Sequence, residues 1–259
     1  MDYFEKITER PAKDLAWNIP EQKQGIVNII GGNSKSFRTE IKTAEFLTAK
    51  YPVKEARVVL PNDLKGSLPA LPNFVFLSST DSGSFADEGE LAGAFNAVDY
   101  NLLLGDLSKN TITAKAVASA CGSAEKPLIV TRDAVDLVID EASGKALMNE
   151  RLIWLASLAQ LIKLLRAVYY PKMLLMSQSL VQVAEVLHKF TLSYPTSIIT
   201  LHSGQILIAK NGLVKAVPLE QSGFAPIMLW QGEFAAKVAA MNLYNPDDFI
   251  GASVGAIFQ

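Results

Sequence analysis

One cysteine, Cys121, and two histidines, His188 and His202, are all that 259 residues supply of the usual soft metal ligands and nucleophilic partners. A single thiol excludes an internal disulfide, and Cys121 reads as a small apolar side chain of a helix. Two imidazoles leave almost no material for a histidine-rich metal site or a Ser-His-Asp triad, so no protein ligand set for a metal is expected. Neither sign of charge is in excess: 24 Lys and Arg face 26 Asp and Glu, for a net charge of -2 and a pI near 5.8. The basic residues are scattered, which removes the electrostatic case for nucleic acid. Long apolar runs are missing too. The most apolar stretch, residues 152–175, is interrupted by Gln160, Lys163, Arg166 and Pro171, which argues against a membrane span. Residues 1–24 carry acidic side chains early and no extended apolar core; they read as a polar leader, not a signal peptide. A soluble, cytoplasmic protein without nucleic-acid or membrane partners is the expectation.

What is present is core material. At 49% hydrophobic and 19% charged residues, the chain can bury a sizeable core. Residues 25–32 (GIVNIIGG) are an apolar run closed by two glycines, and helical spacing follows through Phe37, Ile41, Ala44 and Leu47. Ser34 or Ser36 is placed to cap that helix. Compact apolar runs recur at 56–63, 73–80, 100–107 and 126–131, each reading as a strand ending in polar turn residues. A helix capped near Ser82 or Ser84 follows the second, and helices over 111–121 and 133–147 follow the third and fourth. Residues 149–170 read as one long helix, 172–177 (KMLLMS) as a strand, and 180–194 as a helix with His188 near its polar side. From 196 to 219 the pattern changes to strands joined at Ser203-Gly204 and Asn211-Gly212. Residues 245–259 close the chain as a capped helix. Alternating strands and helices over 1–259 imply one α/β domain with a mostly parallel sheet covered on both faces and an antiparallel hairpin near the C-terminal end.

Residues 227–241 (IMLWQGEFAAKVAAM) stand out. An apolar run reaches a Gln231-Gly232-Glu233 corner that opens directly into a helix. Glycine permits close backbone approach, and the new helix offers unpaired N–H groups and a positive dipole end, which suits an anion such as phosphate. A carboxylate that merely favours the first turn of its helix is the other reading of Glu233. His202 is open between a satisfied structural histidine and a ligand, Asn33 and Ser34 between lining a pocket and capping, and Trp230 between an apolar plug and a ring that stacks on a base.

The order of elements resembles the ribokinase-like fold, a three-layer α/β/α sandwich, and within it the ADP/ATP-dependent NAD(P)H-hydrate dehydratases. The resemblance spans nearly all of the chain after the leader. Gly31-Gly32-Asn33-Ser34 is similar to that family's substrate-side glycine-glycine-serine loop. Leu104-Gly105-Asp106-Leu107 falls where it carries Gly-Pro-Gly-Leu-Gly, and Thr131-Arg132-Asp133-Ala134 where it carries Asp-Ala-Asp-Ala. His202-Ser203-Gly204 resembles its Leu-Lys-Gly hairpin beside the nucleotide. Leu229-Trp230-Gln231-Gly232-Glu233 stands in place of Gly-Gly-Ser-Gly-Asp, whose glycines hold phosphates and whose Asp is the base. A Thr-Pro-His-x-x-Glu motif, expected near 176–183, is not matched.

The resemblance implies ATP or ADP with Mg2+ as cofactor and a small-molecule nucleotide as substrate. It implies Glu233 as the catalytic residue and Gly232, Gln231, His202, Ser203 and Gly204 as nucleotide-binding. Gly32, Asn33, Ser34, Gly105, Asp106 and Asp133 are implied on the substrate side. The function implied is repair of hydrated NADH or NADPH by a divergent dehydratase; the alternative is a non-catalytic nucleotide- or partner-binding member of the same fold, with a homo-oligomer among its compatible states.

Overall fold

The computed structural model describes residues 2–9 and 19–259. Their strands form one ten-stranded sheet: β1 (Phe4–Lys6), β2 (Gln24–Gly31), β3 (Val53–Pro61), β4 (Phe74–Leu77), β5 (Tyr100–Gly105), β6 (Leu128–Thr131), β7 (Leu152–Leu155), β8 (Ser197–His202), β9 (Gln205–Lys210) and β10 (Leu213–Pro218). The order across the sheet is β1-β10-β9-β8-β7-β6-β5-β2-β3-β4. From β8 to β4 every pairing is parallel, and only β9 runs against its neighbours. The antiparallel excursion is therefore not the edge of the sheet, because β1 adds a parallel strand outside β10.

Side chains alternate across the sheet as strand geometry requires. Ile29, Val58, Leu102 and Ile129 face one apolar cluster, and Ile30, Val59, Leu103 and Val130 face the other. The first cluster is covered by α1 (Arg38–Lys50), α7 (Glu233–Tyr244) and α8 (Phe249–Phe258). The second is covered by α2 (Glu88–Asn96), α3 (Thr111–Ser123), α4 (Asp133–Leu147), α5 (Leu158–Ala167) and α6 (Leu180–Ser193). Cys121 is fully buried in α3. The architecture is the expected α/β/α sandwich on a mostly parallel sheet. No described helix is long and apolar enough to cross a membrane.

Four local expectations are corrected. Residues 149–170 are not one helix: Leu152–Leu155 is a wholly buried central strand, and a capping box of Ser157 with Gln160 starts α5. A strand buried on both faces shows no alternation, so LIWLASLAQL reads as continuous helix until the box is recognised. Residues 172–177 are irregular, not a strand; Met173 is 66% exposed and Met176 64%, so their apolar side chains do not serve the core. Phe37, not a serine, occupies the N-cap of α1 and makes no side-chain cap. Asp87, not Ser82 or Ser84, caps α2.

Candidate site at the sheet switch point

Strand order reverses between β2 and β5: β3 and β4 lie on one side of β2, and the chain returns on the other. In open α/β sheets the crevice outside the carboxyl ends of two such strands is where ligands bind. Here it is bounded by Gly31-Gly32 at the end of β2 and Gly105-Asp106 at the end of β5, and the parallel register sets Gly31 opposite Gly105. The Gly32 amide donates to the Gly105 carbonyl at 2.8 Å.

Gly105 has φ +97°, and a Cβ there would overlap Asp133 Oδ1. Glycine is needed because that carboxylate lies on the turn itself. Asp133 Oδ1 accepts the Asp106 amide at 2.8 Å and Oδ2 accepts the Leu107 amide at 3.1 Å. Asp106 in turn forms a two-pronged pair with Arg132, at 2.9 and 2.8 Å, and accepts from Thr39 Oγ1 at 3.1 Å. Asn33 Nδ2 donates to the Asp106 carbonyl at 2.5 Å, while its Oδ1 accepts the amides of Lys35 and Ser36. Asp106 (φ +54°) and Arg132 (φ +57°) are non-glycine residues in the left-handed region, so this knot holds strained backbone in place. Ser34 is exposed, and its amide bonds the Gly83 carbonyl, tying the first loop to residues 80–84.

Beneath the knot lies Glu40 of α1, fully buried. Neither carboxylate oxygen reaches a hydrogen-bond partner of normal geometry among the described residues. A Cβ on Gly31 would overlap Glu40 Oε1, so that glycine leaves room for the carboxyl. Burial pushes the Glu40 pKa up to about 8; its own backbone amide opposes this, Asp106 and Asp133 add to it, and Arg132 opposes it. The group is a neutral acid at pH 7. One turn along α1, the buried Thr43 hydroxyl also lacks a partner among the described residues and lies against Gly232.

Gly232 (φ +91°) is the N-cap of α7, and among the described residues no side chain caps the first-turn amides behind it. A Cβ on Gly232 would overlap Thr43 Oγ1 and stand 3.3 Å from Leu104 Cδ1, which places the start of α7 over the end of β5. Glu233 is half-buried in that first turn and makes no hydrogen bond among the described residues, whereas Gln231 is exposed. Trp230 ends a 3-10 turn (Pro226–Trp230) and packs half-buried on the cluster beneath α7 and α8. Lys237, one turn after Glu233, sits over the Phe224 ring at 4.6 Å.

His202 ends β8, three strand positions from β5, about 14 Å across the sheet by ordinary strand spacing. Its ring is buried, and Nε2 donates to the Gln178 carbonyl at 2.7 Å. Ser203 (φ +49°) and Gly204 (φ +70°) form the exposed hairpin turn on the same sheet edge. The fold thus gathers Gly32, Asn33, Gly105, Asp106 and Asp133 into one hydrogen-bonded network. Gly232 and Glu233 stand beside it, and His202, Ser203 and Gly204 lie farther along the edge.

Sequence reasoning missed Glu40, Thr43 and Arg132. A signal for the first two exists: Glu40, Thr43, Ala44 and Leu47 form one buried stripe, so two polar residues occupy core-facing positions of α1. Arg132 carries no local signal, since only the fold sets it beside Asp106. Among the described residues no group of three His, Cys, Asp or Glu side chains is arranged to hold a metal ion.

No family model matches the sequence, and no curated protein matches it. Solved structures do match its fold. A ribokinase-like superfamily protein from Enterococcus faecalis V583 superposes with a TM-score of 0.64 at 14% identity, over 100% of this chain and 86% of the other. The ADP/ATP-dependent NAD(P)H-hydrate dehydratase from Bacillus subtilis, co-crystallised with ATP and Mg2+, gives 0.56 at 14% identity, over 97% and 82%. A hydroxyethylthiazole kinase protein from Pyrococcus horikoshii gives 0.54 at 11% identity, over 91% and 76%. At these identities the likeness is one of fold, and the fold is ribokinase-like.

Proposed function

We propose that this chain binds the phosphates of ADP or ATP on the first-turn amides of α7 without performing the dehydratase reaction. The observation that carries the reading is the uncapped start of α7 at Gly232, over the end of β5 beside the switch point. Free amides and the helix dipole there suit a polyphosphate. With no protein ligand cluster for a metal among the described residues, Mg2+ would arrive bound to the phosphates. The substrate side supports the non-catalytic half of the reading. Asn33, Asp106 and Asp133 spend their polar atoms on one another, on Arg132 and on loop amides. The neutral Glu40 fills the space under Gly31.

ADP with Mg2+, at about tenfold its Kd, should stabilise the folded chain by roughly 1.4 kcal/mol, or about 3–6 °C in a thermal melt. No shift with ADP, ATP or NAD would sink the nucleotide-binding reading.

A second reading rests on one specific observation: Glu233 is half-buried at the corner and makes no hydrogen bond among the described residues. That is the state required of a base in a divergent NAD(P)H-hydrate dehydratase. On this reading hydrated NADH is turned over when ATP or ADP and Mg2+ are supplied, and Glu233→Gln lowers kcat by about 100-fold or more. Absent turnover beside a clear ADP shift leaves the first reading standing; turnover lost in Glu233→Gln replaces it with the second.

A further inference from the structure

A cleft among the described residues lies at the edge of the sheet opposite the switch point. A cavity of about 540 Å³ runs along the N-terminal ends of β2, β5, β6 and β7 and is roofed by the end of α7 and the start of α8. A cleft between α3 and α4, near Asp133, measures about 430 Å³, but Lys163 already bridges its carboxylates Asp136 and Asp140. The larger cavity falls within the size range of small-molecule sites.

Its walls have two chemical characters. Ile153, Leu243, Pro246 and Phe249 supply an apolar side. Against it stands Lys210, the last residue of β9, half-buried, its ammonium 5.2 Å from the centre of the Phe249 ring. The antiparallel course of β9 brings this residue to the N-terminal edge, and its place in the alternation points it toward α8. A lysine that only covers apolar surface extends its head into water; this one is held inward over a ring. Lys210 forms no ion pair among the described residues. The carboxylates that line the cavity are otherwise placed. Asp99 accepts the Ile26 amide at 2.8 Å, Glu150 pairs with Arg151 at 3.3 Å, and Glu125 is exposed. Burial lowers the pKa of Lys210, with Glu150 opposing and Arg151 adding to it. The cavity therefore has an unpaired, partly desolvated cation beside an apolar wall. Tyr100 also lines the cavity, and its fully buried hydroxyl has no hydrogen-bond partner among the described residues.

We infer that this cavity is a second binding site, for a small anion with an apolar body: one carboxylate or phosphate group paired with Lys210 and a ring or branched chain against Phe249, Leu243 and Ile153. The inference goes beyond the nucleotide reading and does not depend on it, since the two sites lie at opposite edges of the sheet.

The test is an NMR titration of the full chain with benzoate and, separately, phenyl phosphate, with benzylamine as the same ring carrying a cation. The expected result is saturable shifts centred on Ile153, Lys210, Leu243 and Phe249 with one or both anions and none there with benzylamine. Which anion binds tighter identifies the head group. Lys210→Met, which keeps the stem and removes the charge, should weaken binding tenfold or more, and Lys210→Arg should restore it. Absence of shifts with both anions overturns the inference. So do equal responses to benzylamine, unchanged affinity in a folded Lys210→Met protein, or displacement of the anion by ADP.

Discussion

Glu40→Gln should stabilise the protein by about 3 kcal/mol at pH 7, with the gain shrinking to about 1 kcal/mol at pH 5 and toward zero below that. The carboxyl has a pKa near 8 in the folded chain and 4.5 as its ordinary value. Between those two values the unfolded chain releases its proton and the folded chain keeps it. Folding then takes up a proton, so stability falls as pH rises, by about 1.4 kcal/mol per unit from this one group. Its contribution is whole below pH 4.5, is lost progressively up to about pH 8, and changes no further above that. Glutamine has the same shape and never ionises, so it removes the slope. Urea denaturation of both proteins at pH 5, 7 and 8 checks this. Parallel dependence of the two on pH would show that Glu40 ionises normally in the folded state. A destabilised Glu40→Gln at pH 8 would show that its charge is used.

Gly105→Ala should be among the most damaging single-methyl additions, at about 4 kcal/mol. Two costs combine. At φ +97° any side chain is strained, by roughly 1–2 kcal/mol. The new Cβ also displaces Asp133, whose carboxylate bonds to the Asp106 and Leu107 amides contribute about 1.5–3 kcal/mol each before relaxation. Gly204→Ala is the internal control. It has φ +70° but no described residue within 4 Å of its added carbon, so it should cost only about 1 kcal/mol. Chemical denaturation of the two variants measures the difference. Equal costs would mean that the Asp133 carboxylate contributes nothing to holding the turn after β5.

Much of the fold was legible because its strands are compact apolar runs closed by turn residues, as in VVLPND and NLLLGD, and because helices intervene. The order of elements resembles the ribokinase-like fold, and solved structures bear that resemblance out as a fold. What was not legible has physical reasons. β7 carries no period because both of its faces are buried, so LIWL merged with the helix behind it. The MLLM run imitates a strand in composition alone, since its methionines face outward. At the switch point, the glycines after β2 and β5 were visible as turn punctuation. The groups that decide the local chemistry were not. Arg132 meets Asp106 across 26 positions, and Glu40 meets Gly31 only because α1 folds back onto β2. A carboxyl is read from sequence as a surface charge, and here burial makes it a neutral acid.

The short strand β1 sets a schedule for biosynthesis. Phe4 finds its sheet partner at Val214, about 210 residues later in the chain. At ordinary translation rates the ribosome needs on the order of 10–40 s to cover that distance. Throughout that interval the first strand has no ladder to join, while β2 to β7 are being completed and can pair among themselves. Docking of β1 must therefore be a late event, which closes a long loop after the central sheet exists and gains little per residue for it. A nascent chain stalled before residue 213 should hold a protease-sensitive N-terminus on an otherwise assembled parallel sheet, and that sensitivity should disappear once β10 emerges.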